Sequence, residues 1–210
     1  MEKAGDMGRV GIMGGTFDPV HLAHIEMARC ALGQKGLDKI LFMPSKNPPH
    51  KRDRKILPEK YRAEMVKLAV SGEEKFYFSD FELRREEITY TAKTLELLCK
   101  NYPKEQFFFI MGSDSLFHFE CWHQPEKVMR YAVILAVSRG GVREEEMVRQ
   151  AAYLSKKFSG DVQVLKMPEM KISSSMIREK IAAGEDVSSY LPENVYDYIL
   201  KHHCYRLELE

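Results

Sequence analysis

Two histidines, His21 and His24, follow a glycine pair in the stretch Gly14-Gly15-Thr16-Phe17-Asp18-Pro19-Val20-His21-Leu22-Ala23-His24. The apolar run Val10 to Met13 before them reads as a buried strand, and Ile25 to Leu32 after them reads as a helix. Glycines leaving a strand let the backbone turn tightly and approach a ligand closely. The free amides at the next helix start then favour an anion. Residues three apart at a helix start face the same way, so both imidazoles sit over that anion hole. The chemistry this suggests is phosphate binding. A P-loop and a dinucleotide fingerprint are both excluded, because neither G-K-S/T nor G-x-G-x-x-G occurs. Half of a metal site is the other use of such a pair, but no third ligand lies near in the sequence.

Other groups able to meet phosphate recur after later strands. Lys39 to Met43 is a short apolar run stopped by Pro44, hence a second strand. The segment Ser45 to Lys55 holds Lys46 and His50 among further basic residues, and Pro48 and Pro49 exclude a helix. It leaves the ligand edge of an open α/β sheet, where a basic loop can close over phosphates. Gln106 to Met111 is almost continuously apolar, the mark of a central strand buried on both faces. Gly112 and Asp114 follow it, and an aspartate there is placed for ribose hydroxyls. Tyr131 to Val137 is a fifth strand, followed by Arg139. Ser173, Ser174 and Ser175 open a helix that carries Arg178 on its first turn.

Between these lie the positioning elements. Pro58 starts a helix whose apolar stripe is Tyr61, Met65, Leu68 and Ala69. Phe76 to Phe78 is a third strand, and Thr89 or Thr91 caps the helix that Tyr102-Pro103 ends. A helix from Ser115 to Phe119, a charged outer helix from Glu144 to Phe158, a strand from Val162 to Leu165 and a closing helix after Pro192 complete the reading. Strand–helix–strand alternation with apolar strands predicts a parallel α/β sheet with right-handed crossovers.

The order GGTFDP-x-H-x-x-H resembles the H-x-G-H signature of the nucleotidyltransferase superfamily, with Ala23 in the place of its glycine. Together with Pro-Pro-His-Lys, Thr-Tyr-Thr, Gly-Ser-Asp, Trp122 and Ile-Ser-Ser-Ser-x-Ile-Arg, it is most similar to bacterial-type nicotinate-nucleotide adenylyltransferases. The resemblance implies a Rossmann-like doubly wound parallel sheet in one domain over 9–205 with a C-terminal helical segment. Residues 1–8 and 206–210 are then flexible termini. It implies adenylyl transfer from ATP to nicotinate mononucleotide in NAD biosynthesis, with Mg²⁺ carried mainly on the ATP phosphates. His21, His24, Lys46 and Arg178 would be catalytic. Gly14, Gly15, Thr16, Phe17, His50, Gly112, Asp114, Arg139, Ser174 and Ser175 would hold ATP. Thr91, Trp122 and His123 would hold the acceptor. Lys93 stands where the family often has Asp. Asp18 reads as a brace of its loop rather than a metal ligand. Alternatives are nicotinamide mononucleotide or phosphopantetheine as acceptor, or a catalytically silent nucleotide-binding regulator.

Composition limits the partners. The 210 residues carry 32 Lys and Arg against 31 Asp and Glu, a net charge of +1 that makes no case for nucleic acid. No apolar run approaches the roughly 20 residues of a membrane span. Four scattered cysteines without C-x-x-C and no recognisable signal peptide point to a reducing cytoplasm. A homodimer is compatible with all of this.

Overall fold

The computed structural model describes residues 7–46, 56–138 and 142–205. His50, Arg139 and most of the basic loop lie outside the described residues, as do both outermost segments. Six strands form one sheet: β1 (Gly8–Gly15), β2 (Lys39–Pro44), β3 (Phe76–Phe78), β4 (Glu105–Gly112), β5 (Ala132–Val137) and β6 (Val162–Leu165). Their order is β3-β2-β1-β4-β5-β6, and every pairing is parallel. This is the doubly wound, Rossmann-like arrangement, with its switch point between β1 and β4. Ile12 lies opposite Leu41 on one side and Phe109 on the other, which fixes the register at the centre.

The continuous apolar runs divide between two cores because successive side chains leave a strand on opposite faces. Phe108, Ile110, Leu135 and Val137 enter one core, covered by α1 (Leu22–Lys35), α2 (Glu59–Val70), α7 (Ser174–Ala182) and α8 (Glu193–Lys201). Phe107, Phe109, Ile134 and Ala136 enter the other. That face is covered by α3 (Thr91–Asn101), α4 (Ser113–Phe117), α5 (Pro125–Tyr131) and α6 (Glu144–Phe158). Each large buried aliphatic or aromatic side chain contributes about 1.5–3 kcal/mol. The sheet is therefore held by a packed core on each side.

Several local expectations are corrected. Neither Thr89 nor Thr91 caps α3: Tyr90 is the N-cap, no side chain bonds there, and Thr91 is already the first helical residue. The helix after β4 starts at Ser113, so Asp114 lies inside its first turn rather than ahead of it. Tyr131 ends α5, a helix the sequence reading omitted, and β5 begins one residue later. Arg178 falls in the second turn of α7, since Ser173 is the cap and accepts from the Met176 amide. Among the described residues, no helix is long and apolar enough to cross a membrane.

Candidate active site

The site starts where β1 stops. Phe17 takes a left-handed backbone, with φ at 51°, and its ring is buried against His24 at 5.1 Å and Phe42 at 5.9 Å. Such a conformation costs a non-glycine residue about 1–3 kcal/mol, and here the packed ring holds it in place. The peptide between Asp18 and Pro19 is cis. His21 is then the N-cap of α1, and its amide donates to His24 Nδ1 at 3.3 Å. The two rings stack with centroids 3.7 Å apart. His21 is almost fully buried and His24 half-buried. Ala23 lies between them, fully buried, in an unbroken helix. The extra methyl is thus absorbed by packing.

Two cavities meet at Gly14, Phe109, Ser115 and Trp122. The smaller, of about 140 Å³, is lined by His24, Met27 and Gly112. The larger, of about 260 Å³, is lined by Gly15, Thr16, Ser45, Glu82, Thr89, Tyr90, Thr91, Thr94 and His123. A Cβ on Gly14 would come within 3.2 Å of the Phe109 ring, so the bare backbone is what lets this channel pass. Trp122 stands on Phe109 at 5.9 Å and on Phe119 at 5.3 Å, and Tyr90 lies on His123 at 4.2 Å. These rings make flat walls suited to an aromatic ligand.

A buried arginine ties the platform together. Arg62 donates to the carbonyls of Thr16 at 2.7 Å, Ser45 at 2.9 Å and Leu57 at 2.9 Å. It is 2% exposed, and burial lowers its pKa. One guanidinium fork thereby joins the loop after β1, the loop after β2 and the lead into α2. The Ser45 amide adds a bond to the Gly15 carbonyl at 2.8 Å.

A second knot lies under Asp18. Arg178 donates to the Asp18 carbonyl at 2.6 Å, and its charge stands 3.8 Å from the Asp18 carboxylate. Tyr205 Oη donates to Asp18 Oδ1 at 2.9 Å, and the Leu57 amide donates to the same oxygen at 3.4 Å. Burial, with the Asp18 charge beside it, holds the Tyr205 phenol well above its ordinary range. Ser174 Oγ donates to the Pro19 carbonyl at 2.9 Å, and Ser175 Oγ pairs with Ser173 Oγ at 3.1 Å.

Sequence comparison bears on this arrangement directly. The family profile of cytidylyltransferase-like proteins matches residues 12–180. A protein of Lachnoclostridium phytofermentans named "Probable nicotinate-nucleotide adenylyltransferase" is 42% identical over 95% of this chain and 100% of its own length. One of the same name from Carboxydothermus hydrogenoformans is 38% identical over 94% of this chain and 98% of its own. The chain belongs to the nicotinate-nucleotide adenylyltransferase family. The nicotinic acid mononucleotide adenylyltransferase of Plasmodium falciparum, solved as complexes with APC and with NaAD, has the same fold. Its APC complex aligns with a TM-score of 0.78 at 22% identity, covering 97% of this chain and 100% of that one.

Within this family frame, the sequence-predicted residues fall into three groups. Gly14, Gly15, Thr16, Thr91, Trp122 and His123 line the larger cavity, and His24 and Gly112 line the smaller. Phe17 and His21 support them from behind. Lys46, Asp114, Ser174, Ser175 and Arg178 line neither cavity. Lys46 follows the clamped Ser45, while Asp114 is exposed on α4 and its carbonyl contacts the His118 ring. Lys93 faces outward and pairs with Glu96 at 3.0 Å, away from the cavities. The sequence reading missed Arg62, Glu82, Tyr90 and Thr94. A Tyr inside Thr-Tyr-Thr was a visible signal, but nothing in the charged stretch around Glu82 announces burial.

Glu82 is 8% exposed, and its Oε1 accepts from Thr94 Oγ1 at 2.7 Å. Thr94 Oγ1 in turn accepts from Arg85 at 3.1 Å. Burial pushes the Glu82 carboxyl up from 4.5 to about 7, against the pull of Thr94, Arg85 and Thr89. Among the described residues, no three His, Cys, Asp or Glu side chains converge as a metal cage. Asp18, the nearest carboxylate to the first loop, is already engaged by Tyr205, Leu57 and Arg178.

Proposed function

We propose that this chain transfers the adenylyl group of ATP to nicotinate mononucleotide, releasing pyrophosphate and forming nicotinate adenine dinucleotide, a step of NAD biosynthesis. Family membership supports the reaction. The observation that carries it into this molecule is the meeting, at Gly14, of a histidine-lined cavity and an aromatic-walled one. One suits a phosphate and the other a flat ring, and adenylyl transfer needs both side by side.

An oxygen of the acceptor's phosphate attacks the α-phosphorus of ATP. The bond to the bridging oxygen of the β-phosphate breaks, and its electron pair leaves with pyrophosphate. The nucleophile is already an anion, so no general base is required. Rate enhancement comes from positioning and from stabilising charge on the transferring phosphorus and the leaving group. In this reading His24, backed by His21, donates to phosphate oxygens. The amides of Gly14 to Phe17 and the hydroxyls of Ser174 and Ser175 orient the triphosphate. Lys46, His50 and Arg178 offset its charge, and Gly112, Asp114 and Arg139 serve the adenosine side. Thr91 and the His123 amide hold the ring carboxylate, while Trp122 stacks on the ring. A small hard cation such as Mg²⁺ needs few protein ligands when phosphates and waters supply the rest. That fits a site whose carboxylates do not form a cage, and the cation would supply charge neutralisation on the triphosphate.

The test is pyrophosphate release with ATP and Mg²⁺, comparing nicotinate mononucleotide, nicotinamide mononucleotide and phosphopantetheine. Strong preference for a pyridine mononucleotide is expected. Turnover with phosphopantetheine alone would overturn the reading, as would nucleotide binding without turnover of any acceptor.

A further inference from the structure

The nicotinate and nicotinamide mononucleotides differ only at the ring substituent, a carboxylate in one and an uncharged amide in the other. A protein that separates them must sense charge at that point. Among the described residues, the larger cavity is walled by aromatic rings, hydroxyls, the apolar Ile12 and Met43, backbone and one carboxyl group, that of Glu82. Glu82 belongs to no part of the chemistry described above. It precedes α3 by nine residues and is fixed to that helix through Thr94, with Arg85 behind the threonine. Arg85 does not pair with it directly; its charge also faces Glu87 at 3.6 Å. Glu82 is thus a buried acid held at the wall of the ring pocket with its nearest cation one hydroxyl away.

We propose that Glu82 is a specificity-determining residue of the acceptor pocket, whose carboxyl registers whether the ring bound beside Trp122 carries a negative charge. The proposal rests on the adenylyl-transfer reading above. Two carboxylates sharing a cavity of about 260 Å³ repel each other, and each raises the cost of ionising the other. Binding of the ring carboxylate therefore requires Glu82 to hold its proton, and the neutral acid can then donate a hydrogen bond. Binding of the amide carries no such requirement. Burial already brings this carboxyl to about 7, so the requirement is met at slightly acid pH and becomes costly above neutrality. The groups able to modify the effect are Arg85 and Glu87 on the same segment, Thr94 as a hydrogen-bond donor, the nearby Thr89 hydroxyl, and His123, which lines the same cavity.

The experiment compares kcat/KM for the two mononucleotides in the wild-type chain from pH 6 to 8.5. Titrations of the substrate phosphate and of the ATP subsite are common to both acceptors and cancel in the ratio. The acid-to-amide ratio is expected to fall about thirtyfold across that range. Binding calorimetry at pH 7.5, in two buffers of different ionisation enthalpy, should show the acid taking up about three-quarters of a proton more than the amide. Glu82→Gln, neutral at every pH, should give a flat ratio and no excess proton. A wild-type ratio independent of pH with equal proton uptake overturns the proposal without needing the variant. A slope that persists in Glu82→Gln overturns it as well and transfers the effect to another group. No turnover with either mononucleotide would instead overturn the adenylyl-transfer reading, and this proposal with it.

Discussion

The imidazoles of His21 and His24 lie face to face, 3.7 Å between centroids and 26° from parallel. One ring caps α1 and is buried, and the other is half-exposed and opens onto the smaller cavity. The same pair thus joins a structural end to a chemical one. His24→Ala should leave the fold intact and cut kcat by about a hundredfold, the scale of losing one donor to a developing charge. His21→Ala should lose turnover and also about 1 kcal/mol of stability from the cap. Steady-state kinetics and thermal melts on both variants check this. Near-normal turnover in His24→Ala would refute its role.

Trp122 rests on Phe109 and Phe119, and one side of it is left to the cavities. Loss of a stacking face costs about 1–3 kcal/mol per ring. Trp122→Ala should therefore raise the acceptor KM by about fivefold or more while the ATP KM changes little. The opposite pattern would assign the indole to the adenine instead.

The Arg62 guanidinium joins α2 to the carbonyls of Thr16, Ser45 and Leu57. Arg62→Met fills much of the volume but leaves those oxygens without their donor, each at about 1–3 kcal/mol. Urea denaturation should show a loss of about 3 kcal/mol or more, with Arg62→Lys intermediate because an ammonium lacks the fork. An unchanged midpoint would mean that water replaces the guanidinium freely.

Glu82 makes stability depend on pH. Its folded-state value of about 7 lies above the ordinary 4.5, so the folded chain binds this proton more tightly than the unfolded one. Its contribution is full below pH 4.5 and is lost as pH rises to about 7, by up to about 3 kcal/mol. Melts at pH 5 and 7.5 should show a larger drop in the wild type than in Glu82→Gln. Equal drops would place the ionisation elsewhere.

Ala23 lies between two stacked histidines in an unbroken helix. Ala23→Gly should cost about 1 kcal/mol through lost burial and helix propensity, with kcat/KM changing less than about threefold. A tenfold gain would show that the methyl disturbs the phosphate site.

Much of this was readable in the chain. The central strands stood out because strands covered on both faces must be apolar throughout, as Phe107 to Met111 are, and the edge strands β3 and β6 showed as short, mostly apolar runs. The glycine pair and the spaced histidines were readable because backbone approach restricts residue type. α5 escaped because it is short and follows Gln124 in a left-handed conformation, with no capping residue to announce it. Arg62 and Glu82 escaped for a different reason. A charged residue beside an apolar stripe normally faces water, and only tertiary partners such as the Ser45 carbonyl or the Thr94 hydroxyl reverse that expectation. Lys46 and Asp114 follow β2 and β4 without lining either cavity, because strand-end position fixes an edge and not a side-chain direction.

Asp18 receives its partners from far along the chain: Arg178 follows it by 160 residues and Tyr205 by 187. During translation the histidine loop leaves the ribosome well before the residues that fasten it. A nascent chain can pair β1, β2 and β4 and still lack the bonds that seat Asp18 and Pro19. The seating of Asp18 and Pro19 therefore waits on residues made long after them, Ser174, Arg178 and Tyr205.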